Sequence, residues 1–542
     1  MPEGGTGKRL KICGWGYEGN DPTPEEHRLI EAGIAERFGV TDTELVPPPT
    51  EAEIELAKPR VGIPETLEAF CSAGTYDRAL HMYGKSCPDY VRQLNRVFEH
   101  APDFVAYPRS EDEIEAVLDW ATGARVAVIP FGGGSSVVGG VEPKVGDGFA
   151  GAITLNLKHF DKVLEIDETS RAARVQAGTF GPALEAQLKP HGKTFRYYPQ
   201  SFEFSTLGGW IATRGGGHYA TVMTHVDDLV ESVRALTMKG VYESFRLPGS
   251  GAGPSPDRLL IGSEGALGVI TEAWVRLQDR PVHRAGTSVA FDDFYKAAEC
   301  VRAMTQSGLY PTNCRLLDRN EARANGVADG SADILVLAFE SADHPVEAWM
   351  ERALEICRDM GGRPDSDQLQ AKAGGHREGA SGAWRNAFIR MPYLRDATMG
   401  RGLCMDTFET AITWERFPEF HAKIKAKVEQ TIREVTGRPG LVTCRFTHVY
   451  ADGPAPYFSF YAYTGLAGML EGWWAIKTAA SDLLNELGGT ITHHHAVGRD
   501  HMTWYQKQRP EPFAAALSAA KTALDPAGIL NPGVLLPPQP GG

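Results

Sequence analysis

The chain is as informative in what it lacks as in what it holds. Its eight cysteines are scattered, and no Cys-x-x-Cys pair occurs. Neither a zinc ribbon nor a dithiol redox motif is therefore supported, and the pattern reads as reduced thiols in a cytosolic protein. No run of ~18 apolar residues appears, so no membrane span is expected. The first residues, Met1 to Gly7, are polar and glycine-rich and lack the apolar stretch of a secretion signal; the expected location is the cytoplasm. Excess positive charge is also missing. Lys and Arg number 55 against 69 Asp and Glu, a net charge of −14. Nucleic acid would be repelled on average, and no broad attraction to anionic membrane follows, although a local apolar patch could still dock peripherally. No internal repeat of fixed period is present.

What is present fits a soluble globular protein, with 42% hydrophobic and 23% charged residues. A length of 542 residues exceeds one ordinary core, so two or more domains are expected. Residues 1–100 read as a mostly helical N-terminal extension with proline-rich breaks such as Val46-Pro47-Pro48-Pro49. Residues 101–282 change character. Ile114, Val117 and Leu118 recur at helical spacing after an acidic first turn. Val126 to Pro130, Ile153 to Leu157 and Arg174 to Gly178 read as strands. From 283 to 480 strands at Val289–Phe291 and Ile334–Glu340 are each followed by a helix, and Phe458 to Tyr463 is an aromatic strand; a separate antiparallel sheet covered by helices is expected. Residues 481–542 form a closing segment. The fold class is α+β.

Sixty glycines are more than packing needs, and the excess falls in specific runs. Pro130-Phe131-Gly132-Gly133-Gly134-Ser135-Ser136 follows a strand. Small residues there let successive amides curl into a concave anion-binding nest. The loop is neither a Walker A motif nor G-x-G-x-x-G. Gln200 to Trp210, with Ser201, Ser205 and Thr206, leads into Thr213-Arg214-Gly215-Gly216. A third run, Glu264-Gly265-Ala266-Leu267-Gly268-Val269-Ile270, lets backbone lie flat against a planar ligand. Near the end stands Thr492-His493-His494-His495. An extended run would turn His493 and His495 to one face and His494 to the other, and no Asp, Glu or His at conventional ligand spacing accompanies it. Alone, the run leaves metal-binding, catalytic and structural roles open; a ligand held by the glycine loops would fill the pocket instead, and with it no metal ion is expected.

Together these segments resemble the flavin-binding domain of the vanillyl-alcohol-oxidase (PCMH-type) FAD superfamily. Within it the chain is similar to the alkyldihydroxyacetonephosphate synthase family, on Gly14-Trp15-Gly16-Tyr17, Tyr83-Gly84-Lys85-Ser86, Glu203-Phe204-Ser205-Thr206, Arg315-Leu316-Leu317-Asp318, Phe408-Glu409-Thr410, Thr443-Cys444-Arg445 and the histidine run with Val497-Gly498. The resemblance implies a two-subdomain FAD-binding domain over 101–282, an antiparallel cap domain for substrate over 283–480, and a C-terminal segment that completes both. It implies FAD contacts at Pro130 to Ser136, Gln200, Ser201, Ser205, Thr206, Thr213 to Gly216 and Glu264 to Ile270. It implies substrate phosphate at Arg395, acid/base work at Tyr457, and catalytic parts for Arg315, His493, His494 and His495. Arg395 and a histidinium would lower the pKa of Tyr457. The implied reaction exchanges the acyl chain of acyl-dihydroxyacetone phosphate for a long-chain alcohol, with no net redox change. The alternative is oxidation of a 2-hydroxy acid by a D-lactate dehydrogenase-like enzyme. The glycine loop holds no His or Cys, so the FAD is expected to be non-covalent. A lipid substrate and a homodimer are expected. The chain departs from the family pattern at Ala496 (usually glycine), Arg499 (usually lysine) and Gly215-Gly216 (commonly Ala-Ser).

Overall fold

The computed structural model describes residues 9–365 and 390–537; Met1 to Gly7 lie outside them. Three large sheets and one two-stranded sheet, Lys193–Thr194 with Gln278–Asp279, organise the described residues. Strands Val126–Phe131, Gly151–Asn156 and Val105–Ala106 run parallel, and Cys71–Ser72 adds an antiparallel edge. The second sheet is antiparallel, in the order Val163–Asp167, Ala172–Gln176, Val269–Arg276, Val230–Thr237, Gly240–Glu243. The third has seven antiparallel strands with Arg363–Pro364 and Leu403–Glu409 at its edges; its inner strands include Asn313–Leu317, Leu441–Val449 and Pro454–Tyr463.

Local chemistry explains the helices that frame these sheets. Ser110 caps Glu111–Ala124 by accepting from the Glu113 amide, and the buried face is Ile114, Val117, Leu118 and Ala121. Asp293 caps Phe294–Gln306 in the same way. Thr23 and Glu26 form a reciprocal capping box on Pro24–Phe38, which ends at Gly39 in the left-handed region. The N-terminal region is less helical than its composition predicts. Helices Pro24–Phe38, Thr75–Leu80 and Cys87–Leu94 are separated by a stretch without regular structure from 39 to 50.

Two main hydrophobic cores result. One lies between the first two sheets and includes Phe104, Val128, Ile153, Phe195 and Trp210. The other lies under the seven-stranded sheet and holds Phe291, Phe339, Phe408, Phe446, Phe458 and Trp473, all at most 2% exposed. Truncating one such ring costs about 3–5 kcal/mol.

The chain end is stitched back onto the first sheet. Val128 N–H donates to Ile529 O at 2.8 Å, and Asn531 N–H donates to Val128 O at 2.9 Å. The buried Lys521 ammonium donates to Asp525 at 2.6 Å and to the carbonyls of Ala266 and Leu530, each at 2.7 Å. Among the described residues, no helix is long and apolar enough to cross a membrane.

Candidate active site

A cavity of about 300 Å³ opens between the first two sheets and the seven-stranded sheet. The glycine loop forms one wall. Strand Val126–Phe131 ends in it, and the amides of Gly133, Gly134 and Ser135 donate to nothing else among the described residues. The backbone is packed too closely for side chains: a Cβ on Gly133 would stand 1.9 Å from Phe204 O, and one on Gly132 would stand 2.3 Å from Thr206 Oγ1. A row of unspent donors on a wall with no side chains is what a pyrophosphate-bearing ligand needs. The residues therefore fit the cofactor that the motifs imply.

The same cavity gathers most of the expected FAD contacts. Pro130 to Ser136, Gln200, Ser201, Ser205, Thr206, Thr213, Gly215, Gly216, Glu264, Gly265, Gly268 and Ile270 line it. Ala266, Leu267 and Val269 do not; their side chains are buried in packing around the second sheet. Arg214 turns away and pairs with Asp227 at 3.1 Å. Glu264 acts across the cavity rim, with its carboxylate accepting from the amides of Val497 at 2.9 Å and Gly498 at 2.8 Å. Burial raises its pKa to about 7 against those amides.

Arg395 enters from helical residues 390–399. The N-terminal motif seats that helix: Trp15 N–H donates to Asp396 Oδ2 at 2.8 Å, and a Cβ on Gly14 (φ +80°) would stand 2.3 Å from the same oxygen. Lys85 links Arg395 to the glycine loop. Its amide donates to Ser136 O at 2.6 Å, and its carbonyl accepts from Arg395 Nη2 at 3.0 Å. Arg395 Nε, buried at the cavity, makes no hydrogen bond among the described residues and lies 3.9 Å from Asp396 Oδ1. Arg315 also faces the cavity and donates to the His218 carbonyl at 3.0 Å; burial, then Arg445, lowers its pKa to about 9.

The histidine run is not extended. It curls around the carboxylate of Glu409, at the edge strand's end. Thr492 Oγ1 donates to Glu409 at 2.6 Å, and the amides of His493, His494 and His495 donate at 2.6, 3.1 and 2.9 Å. Burial opposes ionisation of Glu409, but the Thr492 hydroxyl and the three amides that donate to its carboxylate hold the pKa well below the carboxylate range. The curl breaks the expected two-face alternation. His494 and His495 line the cavity beside Tyr457, with ring centroids 6.0 and 5.6 Å from that of the tyrosine and 4.7 Å from each other. His493 lies behind them, its Nε2 2.8 Å from Tyr450 Oη.

Tyr457 meets a different cation from the one expected. Arg445, not Arg395, lies over its ring at 3.9 Å from the centroid, and its hydroxyl donates to Thr407 Oγ1 at 3.0 Å. No histidinium assists, because burial pushes His494 down to about 3 and lowers His493 and His495. Burial outweighs Arg445 and Thr407, so the Tyr457 pKa is raised and the phenol keeps its proton at neutral pH.

Several residues lining the cavity or lying just behind it carried no sequence expectation. Glu409 and Arg445 sit inside motifs noted above without a role. Lys477 is buried and donates to Thr407 O at 2.9 Å. Its signal is a lone cation on the apolar face of Trp473, Ile476, Ala480 and Leu484. His448 had no readable signal: a register shift between Phe446 and His448 turns both Thr447 and His448 to the cavity.

Two sheets carrying a glycine-lined cradle, capped by a seven-stranded antiparallel sheet over one cavity, define an FAD-linked oxidase type of flavoprotein. Family models agree: "FAD binding domain" matches residues 102–245 and "FAD linked oxidases, C-terminal domain" matches 280–535. The chain is 31% identical to alkyldihydroxyacetonephosphate synthase of Caenorhabditis elegans, over 83% of this chain and 79% of that one. It is 28% identical to the enzyme of the same name from Trypanosoma brucei brucei, over 86% and 78%. A solved alkyldihydroxyacetonephosphate synthase superposes with a TM-score of 0.80 at 24% identity, covering 96% of this chain and 98% of that one. The protein belongs to the alkyldihydroxyacetonephosphate synthase family and is an FAD enzyme.

Proposed function

We propose that the protein is an ether-lipid synthase that exchanges the acyl chain of acyl-dihydroxyacetone phosphate for a long-chain alcohol. The bond between the dihydroxyacetone carbon and the ester oxygen breaks, the fatty acid leaves, and the alcohol oxygen bonds to that carbon as its proton departs. No net oxidation occurs. The observation that carries this reading is the convergence on one cavity of a glycine cradle, the buried Arg395 guanidinium, whose Nε makes no hydrogen bond among the described residues, and the Tyr457–His494–His495 group.

FAD, when bound on the cradle, supplies the electron-rich centre at which a carbon–oxygen bond can be exchanged. The chain's own residues supply the rest. Arg395 holds the phosphate, for which a guanidinium fork is suited. Protonated Tyr457 donates at the reacting carbon's oxygen, and the neutral imidazoles of His494 and His495 accept a hydrogen bond from the alcohol and pass its proton to the departing carboxylate. Arg315 adds positive charge near the same oxygen. Trp15, Val137, Met391, Pro392 and Met405 give the cavity an apolar side on which an alkyl chain can lie.

The test is direct. Flavin-loaded enzyme given palmitoyl-dihydroxyacetone phosphate and hexadecanol is expected to yield an ether product and free palmitate; no ether product would sink the assignment. Anaerobic bleaching by D-lactate would instead favour the 2-hydroxy-acid reading. Because the glycine loop holds no His or Cys, acid precipitation is expected to leave colourless protein and yellow supernatant. Yellow pellet would show a covalent bond.

A further inference from the structure

The histidines form a larger cluster than the proposed reaction uses. Behind His494, the ring of His493 lies 4.9 Å from that of His448 and 4.5 Å from that of His225. His448 in turn lies 5.7 Å from His494. We propose that His448, His493 and His494 form a three-imidazole site for one divalent transition-metal ion of the zinc class, set in the cavity wall, and that filling it removes His494 from the reaction. The binding part stands whatever reaction the cavity carries. The inhibitory part rests on the role given to His494 above.

One ring nitrogen from each of the three lies within 4.8 Å of the other two. A tetrahedral ion with bonds of about 2.0–2.1 Å needs nitrogens roughly 3.3 Å apart, so side-chain rotation has to close at most ~1.5 Å. One edge is already near that length, since His493 Nδ1 and His494 Nδ1 are 3.0 Å apart. Two facing imidazole nitrogens can hold only one proton between them, and a divalent ion can take its place. His448 is tied through Nε2 by the Gly217 carbonyl at 2.9 Å, with Nδ1 3.2 Å from Thr447 Oγ1, a hydroxyl that can rotate away, and His493 is tied through Nε2 by the Tyr450 hydroxyl at 2.8 Å. Carbonyl and hydroxyl partners of this kind orient imidazoles that bind metal through the other nitrogen. Glu409, 3.3 Å from His494 Nδ1, adds a buried negative charge beside the ion. Because His494 faces the cavity, a fourth position is open to water or a ligand oxygen. An all-imidazole set selects zinc, nickel, cobalt or copper over magnesium and calcium, which prefer oxygen.

The experiment uses the flavin-loaded full chain and zinc chloride alone. Calorimetric titration is expected to show one ion per chain, and zinc X-ray absorption is expected to show three nitrogen neighbours at about 2.0 Å. Dissociation constants should rise at least tenfold in His448→Gln and in His493→Gln, with retained flavin showing that each variant folds. His344→Gln, at an exposed histidine, should bind as the parent does. Absence of stoichiometric binding, fewer than three nitrogens around the ion, or unchanged affinity in both cluster variants would overturn the site. Zinc bound at the site with turnover undiminished would overturn the inhibitory part alone. Binding is measured without substrate, so failure of the ether-lipid reading leaves it intact.

Discussion

Burial sets the protonation state of the side chains around the cavity, and that assigns their roles. Tyr457 is held protonated and His494 neutral, so the phenol is the donor and the imidazole the acceptor. Tyr457→Phe removes only the hydroxyl and keeps the stacking on His494. Turnover is expected to fall by about 10²- to 10⁴-fold, the range for loss of a positioned proton donor, while flavin content stays at one per chain. Steady-state rates and the visible spectrum check both halves. Ala496 tests a different residue-scale point. It sits at φ 76°, where a Cβ costs about 1–2 kcal/mol. Ala496→Gly relieves that cost and loses part of it to unfolded-chain entropy. A net gain of about 0.5–1 kcal/mol is expected in urea denaturation.

At the scale of elements, two loops carry the site, and both are shaped by what they press against. The glycine loop passes so close to Phe204 that a methyl group has no room, with 1.9 Å between the Gly133 Cβ position and the carbonyl oxygen. Gly133→Ala is expected to abolish flavin retention on a desalting column while the cap sheet still folds, as read by circular dichroism. This loop was legible in the sequence because only glycine permits the approach, so the need for small residues shows as composition. The histidine run was legible as a run but not as a shape. Its curl comes from Glu409, more than eighty positions earlier, which collects the amides of His493, His494 and His495. Nothing local to the run signals that anchor. The same holds for His448, where a bulge decides the direction of the side chain. Lys477 was half legible, as a cation on an apolar helical face.

For the whole molecule, pH dependence follows from the buried histidines. Burial lowers His421, His494 and His501 to about 3 and His81 to about 4, from an ordinary 6.5. In each case the unfolded chain binds a proton that the folded chain refuses. Their stabilising effect is therefore complete above pH 6.5 and is lost as pH falls toward the folded values, at up to about 1.4 kcal/mol per pH unit for each group. Glu264 and Asp500, both raised to about 7, act in the opposite sense and stabilise as pH falls toward their ordinary values. The histidines outnumber them, so urea midpoints are expected to drop between pH 6.5 and 5. His421→Gln, in the cap core and away from the cavity, should flatten that slope by one proton. An unchanged slope would refute this account of His421.

The sequence by itself determined the layers, the cofactor cradle and the family. Helical spacing, strand alternation and glycine runs are short-range patterns, and each is written in the residues that obey it. Tertiary structure alone decided which groups share the cavity and in what charge state. Arg445 reaches Tyr457 across paired strands, Lys85 bridges Ser136 to Arg395, and Glu409 folds the histidines inward. Most of those contacts join positions far apart in the chain, and the pKa of each group depends on the water excluded around it, which no local pattern of residues encodes.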